Sequence, residues 1–588
     1  MNTDQRLDPY LAPETVSPTI VQWSARLALV AGLGYLGTRT AFAIAAPTPI
    51  AVLLLATEAL GAAVFALRAH SASATPTVVP DVPDAAPPAA VAVVDARSAS
   101  ADELRITLVS CRRVRGLDRI VVADPDAASW LPGLAERFGA TVVHEHALDV
   151  LAETNTAWVL HLRAGDLPMP DALEMVATIS SAPDVGVVQF GLEEADPSSY
   201  EHDPDGGWSL TPFEHQVVRR SLAARGSIPW YGDGPALVRP VVVRGATDVT
   251  STVDLGLHAI RLGYRVTLVG RTLARVRGSQ SLGESLAAHA RRRAPVRAAA
   301  RTRLAGLPPA ARFAHRVALI GPLAAIQRLS LVGVAIAALG FGVDPVPGPL
   351  VTLAGLAALA YGSRWGAQLL LGRGRLRPFS LMRNELRTLG VDLAFGLADP
   401  VAAKRRRLIV LGGVVAALNA SVLITSWSVW QDQPGRLATG TVAISLAVTV
   451  GFVAVATEVL LDAALRRQRR RHHRMRLGLV TCTVEGRDGQ LRDLSTGGAG
   501  VIVAARPDQL PERGTVTDVS FRIPDAAGAW RDVTALAHVS HVVEEQPGEC
   551  RLGLRFDDPS EASLDPVVEF LTVDRRLVAL GRRFTESV

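Results

Sequence analysis

Two short stretches near the C-terminal end of this 588-residue chain carry residue types suited to one kind of ligand. The first is a basic run, Arg466-Arg467-Gln468-Arg469-Arg470-Arg471-His472-His473-Arg474. A mostly apolar stretch, 475–484, comes next, and later Asp493-Leu494-Ser495-Thr496-Gly497-Gly498. An arginine fork matches the N7 and O6 acceptors of a guanine edge with two parallel bonds. The same groups give charge-assisted bonds to phosphates and can lie flat on a purine face. A carboxylate such as Asp493 accepts from N–H donors on the opposite guanine edge. Ser495 adds a small donor-acceptor, and Gly498 permits a turn that a side chain would obstruct. Each half alone has an ordinary reading. An arginine run after an apolar helix anchors to anionic lipid heads, and Asp-x-Ser-x-x-Gly is a capped turn.

Together and in this order the two halves resemble the signature of PilZ domains, receptors for the bacterial second messenger cyclic di-GMP. That signature is R-x-x-x-R followed by [D/N]-x-S-x-x-G. Arg470 and Arg474 fit the first part, with Arg467 and Arg471 as an alternative register. Asp493, Ser495 and Gly498 fit the second. Residues 550–556 resemble the late strand of such a barrel, and 565–571 its closing helix. The resemblance implies a β-barrel domain over 466–588 with cyclic di-GMP as its ligand.

The rest of the chain must position this segment. Its length calls for several domains. The net charge of +5 is small, and the basic residues are arginines apart from Lys404, which does not suggest a nucleic-acid partner. Cys111, Cys482 and Cys550 are too few and too scattered for a disulfide framework or a metal cluster. A mean hydropathy of +0.25 points to a membrane class. Residues 23–46 and 50–67 are apolar and each close to the length of a bilayer span, within an N-terminal segment 1–70. A cleaved signal peptide is the competing reading, disfavoured because a second apolar stretch follows at once. Residues 71–90 read as a Pro/Ala linker. Spans resume at 319–341, 350–361, 408–427 and 438–461, within a membrane region 311–465 that includes a basic loop. Arginines crowd 364–407 and 466–476, while 46–49 and 342–349 carry none. The positive-inside rule then predicts a multi-pass protein of the bacterial inner membrane with both termini cytoplasmic.

Between the first two spans and the rest, residues 91–310 have the texture of a soluble α/β domain. Strands are expected at 91–95, 119–123, 141–144, 157–162, 186–190 and 263–269. Helical stretches such as 131–138 and 171–179 lie between them. Alternating strand and helix predicts a parallel sheet covered on both faces. The layout resembles bacterial cellulose synthase and related membrane family 2 glycosyltransferases. The local likeness rests on residues 47–58 with Glu58, on Asp184-Val185-Gly186-Val187-Val188-Gln189, and on Val253-Asp254-Leu255-Gly256-Leu257 through Gly263-Tyr264-Arg265-Val266.

That resemblance implies a GT-A-like, Rossmann-like fold with an Asp for the uracil end of the donor, a D-x-D for a divalent cation, a T-E-D base and a Q-x-x-R-W for the acceptor. This sequence departs at most of them. The first position offers Asp124. The D-x-D position reads Arg163-Ala164-Gly165, followed by Asp166. The T-E-D position reads Thr250-Ser251-Thr252, with Asp254 two residues on. The last reads His289-Ala290-Arg291-Arg292-Arg293, while Tyr361-Gly362-Ser363-Arg364-Trp365 is a second near match, taken as chance. Asp124, Asp166 and Asp254 are therefore the catalytic candidates, and no metal ligands are assigned.

Two functions compete. One is a catalytically degenerate transferase acting as a cyclic di-GMP-regulated scaffold in exopolysaccharide or cell-envelope processes, with membrane lipids and an envelope protein as further partners. The other is an active, inverting, processive transferase using a UDP-sugar, with Mg²⁺ or Mn²⁺, through a rewired site. The loss of metal ligands and base together favours the first.

Overall fold

The computed structural model describes residues 18–72, 86–97, 99–194, 234–244, 249, 251–276, 306–309, 311–312, 330–331, 333–334, 350–371, 475–524, 529–558 and 561–572. Three long apolar helices pack together: α1 (Pro18–Ala45), α2 (Pro49–Ala72) and α7 (Leu350–Leu371). Small residues make the crossing close, with Ala25, Ala28 and Ala367 buried around Phe65. Outward, α1 exposes Trp23, Leu27, Val30 and Leu33, three to four residues apart and so on one face. Among the described residues α1 and α2 are long and apolar enough to cross a membrane by length and composition. The expected spans 408–427 and 438–461 lie outside the described residues, as does nearly all of 319–341. The stretch expected at 350–361 runs ten residues further, through Arg364, to Leu371.

The α/β domain is built on an eight-stranded sheet. In chain order its elements are β1 (Ala90–Asp95), α3 (Ala101–Cys111), β2 (Leu117–Ala123), α4 (Leu131–Arg137), β3 (Thr141–Val143), α5 (Ala147–Glu153), β4 (Trp158–Arg163), β5 (Asp166–Pro168), β6 (Val185–Glu194), β7 (Ala236–Val238), α6 (Thr252–Arg261) and β8 (Arg265–Val276). The spatial order is β3-β2-β1-β4-β7-β6-β8-β5. β1 is a continuous Ala/Val run buried on both faces, as a central parallel strand requires. Its Ala90, Ala92 and Val94 join the core shared with α3 and α4, and its Val91 and Val93 the core shared with α5 and α6. Ser100 and Glu103 close a reciprocal capping box that starts α3.

The expectation of a parallel sheet is corrected in part. β3, β2, β1 and β4 are parallel, as are β6 and β8, but β7 runs antiparallel to β4 and β6, and β5 antiparallel to β8. β5, although only Ala164 and Gly165 separate it from β4 in the chain, takes its place at the far edge beside β8. The helix expected over 171–179 is instead two single turns, Ala172–Met175 and Ala177–Ser180, interrupted at Val176.

The C-terminal unit is a closed six-stranded barrel in the order β10-β11-β14-β13-β12-β9. The strands are β9 (Met475–Val484), β10 (Arg487–Ser495), β11 (Gly498–Val503), β12 (Val516–Pro524), β13 (Trp530–Gln546) and β14 (Glu549–Phe556). Alternating burial along β12 and β13 marks strands with one face in the core and one in water. Helix α8 (Asp565–Thr572) then closes the barrel. It also does something the sequence does not announce. Val567 and Phe570 enter the barrel core, whereas Val568 enters the α/β core beside α3. Arg105 Nε and Arg137 Nε donate to the two oxygens of Asp565 at 2.8 and 2.9 Å. Arg105 Nη2 adds a bond to Glu561 O at 2.8 Å, and Glu569 pairs with both Arg113 of the α/β domain and Arg531 of β13. The two soluble units are thus docked through one helix.

Candidate functional site

The hairpin β10–β11 carries the Asp-x-Ser-x-x-Gly sequence. Ser495 and Gly498 face each other across the turn, and Ser495 Oγ donates to Gly498 O at 2.9 Å. Ser495 is buried and spends its hydrogen on holding the turn closed. A Cβ on Gly498 would stand 2.1 Å from Leu554 O, so β11 can approach β14 this closely only without a side chain there. Asp493 is 5% exposed. Its carboxylate lies over Gly500, where an added Cβ would be 2.7 Å away, and accepts from Arg551 Nη2 at 3.2 Å. Arg551 also faces Glu545 at 3.5 Å, and Arg492 Nη1 donates to both Glu545 oxygens at 2.5 and 2.6 Å.

Strand register explains how these groups meet. Asp493 is paired with Gly500, Gly500 with Gly553, and Gly553 with His541, giving one transverse row across β10, β11, β14 and β13. Ala499, Val501, Leu552 and Leu554 point into the barrel core, so with alternating side chains the two glycines lie on the outer wall. The Asp493 carboxylate covers Gly500 at one end of the row and the His541 imidazole covers Gly553 at the other, where an added Cβ would stand 2.0 Å from Cε1. Ser540 Oγ donates to Gly553 O at 2.6 Å and lies 3.2 Å from His541 Nδ1. Arg551 and His541 are site residues that sequence reasoning missed, because only long-range pairing brings them to Asp493.

Arg470 and Arg474, with the alternatives Arg467 and Arg471, lie outside the described residues. Met475, next in the chain after Arg474, pairs with Leu494, and Arg476 with Asp493. Chain connectivity therefore delivers the end of the basic run to the strand beside the hairpin.

Residues 466–572 match the family model described as PilZ domain. The C-terminal barrel is a PilZ domain. No curated protein matches the chain. Among solved structures, a mannosyltransferase from Pyrobaculum calidifontis in complex with GDP-Man and Mn²⁺ is 19% identical, with 59% of this chain and 99% of that one covered and a TM-score of 0.42. The PilZ domain with c-di-GMP of YcgR from Escherichia coli is 21% identical over 20% of this chain and 93% of that one, at a TM-score of 0.14. Glucosyl-3-phosphoglycerate synthase from Mycobacterium tuberculosis, with Mn²⁺ and UDP, is 14% identical over 38% and 81%, at 0.26.

Away from the PilZ barrel, the second candidate site is the carboxyl edge of the α/β sheet, where ligands of open α/β folds bind. There Asp95, at the end of β1, pairs in register with Ala123 and Arg163. Asp124 is 2% exposed, and its carboxylate accepts from Asp126 N at 3.2 Å and Ala128 N at 2.7 Å. Asp166 accepts from Arg163 N at 2.7 Å, closing the turn whose Gly165 N donates to Thr107 Oγ1 at 2.8 Å. Gly165 has φ +96°, which a side chain would strain. Asp254 sits in the first turn of α6, bonded to Ser251 Oγ at 2.8 Å. Each of the three predicted acids thus serves the backbone or cap next to it. Burial, and then the charge of Asp166, pushes the Cys111 thiol up and leaves it protonated. Among the described residues no group of three His, Cys, Asp or Glu side chains is arranged to hold a metal ion.

Proposed function

We propose that this chain is a cyclic di-GMP-responsive membrane protein in which the PilZ domain binds the ligand and the α/β domain serves as a regulated scaffold. The observation that carries the binding half is the outer wall of the barrel. Asp493 stands at the end of the Gly500–Gly553 row, beside the strand that the basic run enters. A planar base that displaces the His541 ring would lie on these glycines, with Asp493 accepting from its N–H edge. Arg470 and Arg474, or Arg467 and Arg471 in the other register, supply the cationic side, while Ser495 and Gly498 hold the turn. By charge asymmetry this domain and both termini lie on the cytoplasmic side of the bacterial inner membrane.

The scaffold half rests on the commitment of Asp124, Asp166 and Asp254 to local structure, and on Arg163 standing where a cation's ligand belongs. An arginine there repels Mg²⁺ or Mn²⁺. Asp95, in register beside Arg163 at the ligand-binding edge, favours the alternative of an active UDP-sugar transferase, and turnover decides between the two. The purified chain with a UDP-sugar and either metal, with and without cyclic di-GMP, should release no UDP. Robust release abolished by Asp166→Ala would establish the transferase reading. Calorimetry on the full chain should show cyclic di-GMP binding that Asp493→Ala weakens by about 1.5–3 kcal/mol, the scale of a hydrogen bond to a charged group. A lipid-anchor role for the arginines predicts no effect at Asp493.

A further inference from the structure

Burial alternates along β13 through Val533, Ala535, Ala537 and Val539, a pattern that would turn Ser540 outward and His541 into the barrel core. A bulge between Val539 and His541 breaks it. Ser540 and His541 are both exposed, and Val542 packs against the core in place of His541. The imidazole then lies over Gly553, which is buried although it stands on the outer wall.

The β13–β14 ladder slips a second time, between Glu544 and Gln546, and leaves Glu545 without a cross-strand register partner. Glu545 accepts from Arg492 Nη1 with both oxygens, at 2.5 and 2.6 Å, and faces Arg551 Nη1 at 3.5 Å. Arg551 reaches Asp493 through Nη2 at 3.2 Å. Arginine forks bind carboxylate and phosphate oxygens in the same way. Two arginines beside the ligand acid are therefore held by a carboxylate from their own barrel. The Arg492, Glu545 and Arg551 side chains are 40%, 32% and 24% exposed, so these pairs are within reach of a solute and exchange at little cost.

Bulges re-aim side chains and recur beside binding sites. Here both irregularities of one strand fall at the residues that cover the same wall.

We propose that His541 and Glu545 form a built-in lock on the cyclic di-GMP site of the barrel. The imidazole takes the place of a base on Gly553, and the carboxylate takes the place of a phosphate on Arg492 and Arg551. The inference rests on the cyclic di-GMP reading and adds that this chain sets its own response threshold. The ligand must displace both groups, so its apparent affinity is lowered by the fraction of molecules in which they have cleared. Asp493 plays the opposite part, since it stays to meet the ligand.

The test is calorimetry of cyclic di-GMP binding to the full chain in mild detergent. His541→Ala should bind about tenfold more tightly than wild type, the gain expected when the ring clears Gly553 in about one molecule in ten. His541 is exposed, so the variant keeps the barrel core. His541→Phe, which keeps a flat ring at that place, should bind no more tightly than wild type. Glu545→Gln should gain several-fold. Glu544→Gln removes the same charge from a neighbour that accepts from Gly548 N, and should leave affinity unchanged. Binding by His541→Ala no tighter than wild type, or His541→Phe matching His541→Ala, would overturn the part given to the ring. Equal gains in Glu545→Gln and Glu544→Gln would overturn the part given to the carboxylate, reducing it to a general charge effect. Binding by neither wild type nor His541→Ala would end the cyclic di-GMP reading itself, and the lock with it.

Discussion

Asp565→Ala is the most direct test of the docking between barrel and α/β domain. Asp565 holds both Arg105 and Arg137, with Oδ1 facing the two of them, and the Arg105 side chain is almost entirely buried. Burial works against the charge on Arg105, and Asp565 is the first of the groups that support it. Removing one partner of a buried pair costs about 3–5 kcal/mol, because the other charge stays buried. Asp565 is 28% exposed and Arg137 is reached by solvent, so the lower figure of about 3 kcal/mol applies. Docked and undocked populations should then shift by roughly a hundredfold. Hydrogen exchange of the α3 amides, Ala101–Cys111, reads this directly, since undocking uncovers that helix. Protection in α3 and α8 should fall together by roughly that factor, while the β12–β13 ladder keeps its own. Arg105→Met, which replaces the buried charge with an apolar chain, should cost less than Asp565→Ala. Protection within threefold of wild type in Asp565→Ala, or a loss confined to α8, would refute the argument that the clasp joins the units.

Gly498→Ala should destabilise the PilZ barrel by about 1–3 kcal/mol, since its methyl meets the Leu554 carbonyl at 2.1 Å; pulse proteolysis in urea showing an unchanged midpoint would contradict this. Burial, with the Asp488 charge adding to it, pushes the Cys482 thiol up to about 12. The folded chain then keeps a proton that the unfolded chain releases above about pH 8.5, so this group's stability is whole below that pH and falls by about 1.4 kcal/mol per unit towards pH 12. In urea titrations at pH 7.5 and 10, Cys482→Ala should lose about 2 kcal/mol less than wild type, and equal losses would argue against a protonated buried thiol. Reporter fusions after Leu461 and at Pro345 should report opposite sides of the membrane, and the same side for both would end the six-span topology.

What could be read from the sequence was local. The hairpin at Asp493–Gly498, the late strand and the closing helix each depend on a few adjacent residues, and all appear where the residue types place them. The central α/β strands were legible because Ala/Val runs bounded by capped helices leave little choice. The antiparallel β7 was not, since its partners Val159 and Val188 lie far back in the chain. Arg551 and His541 show no signal of their own, because register across four strands, not spacing, brings them to Asp493. Arg364 was misleading in the opposite sense. As a charge in Tyr361-Gly362-Ser363-Arg364-Trp365 it reads as the end of a span, yet α7 continues past it, because Gly32 of α1 and Phe65 of α2 seat the guanidinium and Glu58 supplies an opposite charge nearby.

The shared helix also sets a timetable for synthesis. Arg105 and Asp565 are 460 positions apart. At roughly 5–20 residues per second, the partner of Arg105 leaves the ribosome roughly 20 to 90 s after it. Through that interval the α/β domain has its strands and helices but an open seat where Val568 belongs and an arginine with no carboxylate to meet. Any chain that stops short of α8 keeps that seat open. Incomplete copies therefore carry an exposed defect on their first soluble domain, and proteases or chaperones can tell them from finished ones by that defect alone.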